Sequence, residues 1–391
     1  MYAPQRTRST QRGASRERAE DRLEHDSAHS SSACSALSAV RAGPRAVRRS
    51  VRLIAGLVLA GAGAACGGPG RTPLVIYSPH GPDLLGLAER TFETLHPDVD
   101  VRWLDMGSQE ALDRIRSERV NPQADVWFGG PSILFQRAAA ESLLAPYRPS
   151  WADDVAPRGR AAGDLYFAAY ETPAVITYNS AAVPADEAPR DWDDVLAPRW
   201  RGQVLIRDPI ASGTMRAIFG MVVLRGLAQT RDTAAGFGWL RRLDAQTREY
   251  VLNPVLLDQK LVRREGLVSL WDLPDILVAR AKGQPLGYTL PTSGTPVIED
   301  AIALVRGARH GDAARRFIEW VGSPAAQLLA TREAFRLPAR LDLPADSLPD
   351  WARDVRSHLV VEPMNWAALG EHGDQWMSYW DRTVRGRGTA R

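Results

Sequence analysis

Four short runs of small and polar residues each stand just before an apolar run with helical spacing: Ser78-Pro79-His80-Gly81, Gly107-Ser108, Gly129-Gly130-Pro131-Ser132 and Ser212-Gly213-Thr214. A helix start offers unpaired backbone N–H groups and the positive end of the helix dipole, so it can hold an anion, and Ser or Thr hydroxyls add donors. Any one of these serines is also an ordinary helix cap. Four such places at one edge of successive units point to a shared anion pocket. Its candidate residues are Ser78, His80, Gly81, Ser108, Gly130, Ser132, Ser212, Gly213 and Thr214. Arg207 could add positive charge there, or simply end a strand at the surface. Trp271-Asp272 could receive an amine or sugar hydroxyls through charge and ring face, or be a packed Trp beside a solvated Asp.

Other chemistry finds less in the chain. His80 and Glu110 are the metal-capable residues nearest these turns, and one His with one Glu makes a weak site. No H-E-x-x-H, G-x-S-x-G or Walker sequence occurs, and Ser212 with His80 and an Asp is a triad only by free choice. No catalytic residue, metal ligand or cofactor is therefore assigned. An exported hydrolase is kept as the alternative of a different class.

The elements that must carry these turns alternate. Leu74–Tyr77, Val99–Met106 and Ala124–Phe128 read as strands, each followed by a Gly-bearing turn and a helix. Such a repeat implies a parallel sheet covered by helices, with ligands at the carboxyl ends of the strands. Leu165–Tyr178 is a long extended stretch, broken by Thr172-Pro173, suited to crossing between two lobes. Val204–Arg207 and Gly266–Trp271 are further strands, and a helix runs from Ser212-Gly213-Thr214 to about Arg225. Gly287–Leu290 and Thr295–Ile298 read as the return crossover. Helices follow at Ala313–Val321 and Ala325–Thr331, with Pro324 between them, and the tail Leu348–Tyr379 reads as helical.

The head of the chain has another purpose. Leu53–Ala65 carries no charge and follows Arg45, Arg48, Arg49 and Arg52, the plan of a secretory signal too short to span a bilayer easily. Cys66 after Gly63-Ala64-Ala65 resembles the bacterial lipoprotein cleavage box, with Gly63 where an aliphatic residue is usual. Acylation at Cys66 would anchor the protein to a membrane; plain cleavage nearby is the other reading. Residues 1–44 have a disordered composition. Cys34 and Cys66 are the two cysteines, so the exported domain would hold no disulfide. Residues 1–52 carry eleven Arg against five carboxylates, which leaves −3 for the remainder of a chain whose total is +3. A nucleic-acid binder keeps its basic surface on the folded part, so no nucleic acid is expected as partner.

Tyr77-Ser-Pro-His-Gly81, Asp105-Met-Gly-Ser-Gln-Glu110 and Ala124-Asp-Val-Trp-Phe-Gly-Gly130 together resemble bacterial extracellular solute-binding proteins of ABC importers. The branch is that of ferric-ion, sugar-phosphate and aminoethylphosphonate binders. Trp192, Trp200-Arg201-Gly202, Asp208-Pro209, Ser212-Gly213-Thr214 and Phe317–Gln327 fit the same pattern, over about residues 73–340. The resemblance implies an α/β, two-lobe periplasmic-binding-protein fold of type II-like form, closing as a hinge on a solute held in its cleft. It implies capture of a small oxyanion-bearing solute, such as a phosphonate or sugar phosphate, for an inner-membrane ABC permease. The expected divisions are a basic head with the signal n-region (1–52), the apolar segment with Cys66 (53–66) and a tether (67–72). One lobe then takes 73–172 plus about 289–338, and the other 173–288 plus about 339–391. A ferric-ion binder is the alternative within the family. Those proteins supply two adjacent tyrosines, whereas this chain has no Tyr-Tyr pair and carries Leu270-Trp271-Asp272 where one would stand.

Overall fold

Leu74, Ile76 and Tyr77 are buried in β1 (Thr72–Ser78). Leu74 and Ile76 join one apolar cluster with Phe92, Phe128 and Phe317, while Tyr77 joins a second with Trp127 and Phe135. A strand with apolar partners on both faces belongs to a sheet covered on both sides. The computed structural model describes residues 70–387; the basic head, the apolar segment and Cys66 lie outside the described residues. α1 (Gly81–Leu95) turns Leu84, Leu85, Ala88 and Phe92 inward. β2 (Val99–Asp105), α2 (Ser108–Ser117), β3 (Val126–Pro131) and α3 (Ser132–Ala140) repeat the unit. β1 pairs in parallel with β2 and β3, as the alternation predicts.

One turn is not a turn. Gly129-Gly130-Pro131, expected to leave the strand, continues β3, and Pro131 stands opposite Asp300. The glycines take φ of 98° and 102°, and the Gly130 N–H donates to the Asp300 carboxylate at 3.0 Å. Local permissiveness reads as a turn in sequence, but a partner 170 residues away holds the backbone in the sheet.

β4 (Leu144–Ala145) is followed by β5 (Phe167–Asn179), an unbroken strand of thirteen residues. Then come β6 (Val204–Arg207), α4 (Gly213–Thr230), α5 (Ala234–Gln246), β7 (Thr247–Val251) and α6 (Pro254–Val262). β8 (Val268–Asp272), α7 (Leu273–Ala281), β9 (Leu286–Thr289) and β10 (Val297–Val305) lead to α8 (Gly311–Val321) and α9 (Pro324–Ala334). β11 (Leu337–Pro338), α10 (Asp350–His358) and α11 (Trp366–Thr383) close the described chain. Among the described residues no helix is long and apolar enough to cross a membrane.

The strands run in the order β2-β1-β3-β10-β5-β8-β6-β7. β5 is the joint. Through Pro173, opposite Val297, it pairs antiparallel with β10; from Ala174, opposite Asp272, it pairs antiparallel with β8. Thr172-Pro173 thus does not break the strand as expected. Proline has no N–H to give a ladder, and it stands where the strand changes partners. β6 pairs in parallel with β7 and β8, so the strand–helix plan of the first lobe recurs in the second.

Other expectations need correction. Pro324 is no spacer between helices but the first residue of α9, behind a Ser323 cap whose Oγ accepts from the Ala326 N–H at 3.2 Å. The tail is two helices, since Pro363 bars continuation and Val361 bridges to Thr295. α5, β7 and α6 escape the sequence reading; Gly236 and Gly238 dilute the apolar face of α5.

Candidate functional site

A cleft of about 240 Å³ opens where strands from both halves of the sheet end. His80 follows β1, Ser108 follows β2 and Gly130 lies at the end of β3. From the other half come Ser212, Gly213 and Thr214 at the start of α4, and Trp271 with Asp272 at the end of β8. Eight of the expected residues therefore line one cleft. Ser78, Gly81 and Ser132 do not. Ser78 is fully buried and its Oγ accepts the His80 N–H at 3.2 Å, which fixes the turn rather than facing the cleft. Gly81, with φ 73°, opens α1, and Ser132 opens α3 behind Pro131.

Ser212 does what an ordinary cap does: its Oγ accepts from the Met215 N–H at 3.2 Å. Capping uses one lone pair. The hydroxyl proton remains free to donate into the cleft, so capping and ligand contact are compatible here. Asp272 caps α7 by accepting from the Asp275 N–H at 3.1 Å, and it is buried rather than solvated. Burial and the neighbouring Asp275 charge push its pKa well up. The Trp271 Nε1–H is spent on the Asp275 carboxylate at 3.0 Å.

Two guanidiniums line the cleft among the described residues. Arg207, at the end of β6, is buried; one of its terminal nitrogens donates to the Val251 carbonyl at 3.4 Å, and its Nε has no partner. Burial lowers its pKa, against the pull of Asp208 and Glu110. Arg336, just before β11, is also buried with an orphaned Nε. It donates to the His80 carbonyl at 3.3 Å and stands 3.7 Å from the Asp275 carboxylate. A buried N–H without a partner costs the protein its desolvation, and an oxyanion repays it through charge-assisted bonds.

Around these cations lies an acidic wall: Asp105, Glu110, Asp272, Asp275 and Asp300. Asp300 accepts from both the Gly130 N–H and the Thr172 hydroxyl, and burial raises its pKa despite Arg336 nearby. His80 packs edge-on against Phe128, with ring centroids 4.8 Å apart. Burial, then the Arg336 charge, holds its pKa well below the usual value, so the ring is neutral. Its Nε2 faces the Gly129 backbone, where even a Cβ would sit 2.3 Å away. Among the described residues no group of three or more His, Cys, Asp or Glu could hold a metal ion.

The two sides of the cleft touch. A Cβ on Gly213 would come within 2.5 Å of Ser108 Oγ and 2.6 Å of Pro131 Cδ. Arg336, Asp300, Thr172 and Asp275 were not singled out in sequence. Arg336, Asp300 and Thr172 are brought in by long-range pairing, whereas Asp275 follows Trp271-Asp272 in the first turn of α7 and could have been reached from them; a chain with 49 Lys and Arg offers no local signal for one arginine. Arg207 was weighed, and its cue was the end of a strand.

A family model described as bacterial extracellular solute-binding protein matches residues 89–356. A Sinorhizobium fredii protein, provisionally named an ABC transporter periplasmic-binding protein, is 26% identical over 317 residues, covering 80% of this chain and 86% of its own length. A Salmonella typhimurium periplasmic protein, provisionally named for 2-aminoethylphosphonate binding, is 27% identical over 256 residues, covering 63% of this chain and 72% of its own. Among solved structures, the periplasmic binding protein AfuA from Actinobacillus pleuropneumoniae, with fructose-6-phosphate bound, shares the fold. Its TM-score is 0.71 at 24% identity, over 81% of this chain and 99% of that one.

Proposed function

The chain belongs to the bacterial extracellular solute-binding proteins, and we propose that its cleft captures a small oxyanion-bearing solute, a phosphonate or sugar phosphate, for an inner-membrane ABC importer. One observation carries the choice of solute: buried Arg207 and Arg336 line the cleft with Nε atoms that no protein group satisfies. The start of α4, with Ser212, Gly213 and Thr214, supplies N–H and hydroxyl donors beside Arg207. His80, Ser108 and Gly130 belong to the opposite wall, and Trp271-Asp272 to the acidic side, which suits hydroxyls or an amine on the remainder of the solute. Ser78 holds the turn at His80, and Gly81 and Ser132 are not on the cleft.

Capture is by closure. A solute that touches both walls favours the closed state by its differential affinity for it. The partner change of β5 at Pro173 supports lobes of 73–172 plus about 289–338 and 173–288 plus the tail. The chain's relatives are periplasmic, and the protein is exported; we assign Cys66 as the residue that, once acylated, anchors it. The ferric-ion reading finds one imidazole in the cleft, His80, whose Nε2 is buried without a partner, and no tyrosine among the lining residues. Nor does a hydrolase, since Ser212 Oγ pairs with a backbone N–H and not with His80.

The test is calorimetric titration of the protein with 2-aminoethylphosphonate, fructose-6-phosphate and inorganic phosphate. Arg207→Gln should weaken the best of these by ten- to a hundredfold, given about 1.5–3 kcal/mol for a hydrogen bond to a charged group. Binding unaltered by the substitution would refute the assignment.

A further inference from the structure

α11 is fixed to the second lobe by its C-terminal half. Trp380 meets Phe219 of α4 edge-on, with ring centroids 5.3 Å apart, and Tyr250 of β7 at 5.1 Å. Just beyond the helix, Arg385 pairs with Asp208 at 2.7 Å. Its N-terminal half also belongs to that lobe on one side, where Leu369 packs against Gly220 of α4. On its other side it reaches the first lobe. Gly370 lies so close to α3 that a Cβ there would stand 2.9 Å from Ile133 Cδ1. One turn on, the Asp374 carboxylate is shared: it accepts from Arg137 of α3 at 3.1 Å and from Arg216 of α4 at 2.6 Å.

This contact sits directly behind the solute cleft. Pro131 and Gly213 line the cleft on one side and, on the other, a small apolar space enclosed by α3, α4 and α11. α3 begins at the residue after Pro131, and α4 begins at Gly213. Arg216 also donates to the Ile210 carbonyl at 2.9 Å, in the loop that presents Ser212. A movement that parts Gly213 from Pro131 draws α3 away from α4 and so pulls on the Arg137–Asp374 pair.

We propose that α11 is a closure latch, in which Asp374, carried by the second lobe, clasps Arg137 of the first and so sets solute affinity and residence time without touching the solute. The affinity part rests on the solute-binding reading above; the latch itself does not. Asp374, Arg137 and Gly370 are positioning residues. Their effect is on the balance between open and closed states, and every solute that closes the cleft feels it equally.

The experiment compares the full chain with Asp374→Ala, Arg137→Ala and the double variant. Small-angle X-ray scattering without added solute reads the shape, and apo melting curves read the fold. Calorimetry and stopped-flow release of 2-aminoethylphosphonate read the capture. Each single variant should give a larger radius of gyration and about fivefold weaker binding, carried by faster release, as loss of a partly exposed ion pair allows. The double variant should be no worse than Asp374→Ala, because that change already removes the Arg137 contact along with the Arg216 one within the second lobe. Apo melting of Arg137→Ala should stay close to wild type. Unchanged scattering, additive losses, or a lowered melting point with wild-type shape would overturn the latch. If Asp374→Ala fails to fold, Arg137→Ala decides alone, since it leaves the anchored helix intact. If wild type does not bind the phosphonate, the solute reading is at fault, and scattering still decides the latch.

Discussion

Gly213 and Ser108 meet across the cleft so closely that a Cβ on the glycine would lie 2.5 Å from the serine Oγ. The first belongs to the start of α4 and the second to the start of α2, so the two walls share a contact that tolerates no side chain. Gly213→Val should hold the walls apart. Overpacking of this kind costs about 1–3 kcal/mol, and it falls on the state in which the walls meet, with or without solute. Solute affinity should therefore fall about five- to a hundredfold while the apo melting point stays near wild type. Equal affinity for both proteins would mean that capture does not need this approach.

Ser212 and Thr214 separate two kinds of contribution. Ser212→Ala removes the cap on the Met215 N–H and should lower apo stability by about 1 kcal/mol as well as weakening capture. Thr214 makes no cap bond of that kind, so Thr214→Val should weaken phosphonate binding and leave apo melting alone. Paired titrations and melting curves check both. A melting loss from Ser212→Ala with full affinity would confine Ser212 to capping.

Asp258 on α6 carries a pKa pushed up to about 8, first by burial and then by the charge of Asp275, with Lys282 pulling the other way. The folded chain then keeps a proton that the unfolded chain has released, between the ordinary carboxylate value and about 8. Stability is present below that window and is lost as pH rises through it. Wild-type apo protein should melt at falling temperatures from acid to mildly alkaline buffer, and Asp258→Asn should flatten the decline. Parallel curves for the two proteins would contradict this.

Cys66→Ser should release into the soluble fraction a protein that otherwise sediments with membranes, because the acylation site is gone. An unmodified, fully soluble wild-type protein with an N-terminus beyond Cys66 would defeat the anchor.

Much of the architecture was legible because it is written locally. The apolar run Val204–Arg207 is the strand seen, and the spacing of Leu84, Leu85, Ala88 and Phe92 is the buried face of α1. Small polar residues before helices led to Ser108, Ser212, Gly213 and Thr214, all on the cleft. What depends on distant pairing was not legible. Gly129-Gly130-Pro131 is extended because Asp300 holds it, and Pro173 is tolerated because β5 changes partner there. Arg336 reaches the cleft because β11 pairs with β5 at Tyr170 and Glu171. A single arginine acquires its meaning only from that register.

The double membership of β5 has a consequence for how the molecule comes apart. Residues 167–173 are ladder partners of one lobe and residues 174–179 of the other. Each sheet relies on its own half of the strand, and the two halves are covalently continuous, so fraying on one side starts at the residue where the other side's ladder begins. A single melting transition is therefore the expected outcome, with calorimetric and spectroscopic midpoints that coincide. A substitution far from the cleft, on either side, should then shift that one midpoint rather than split it.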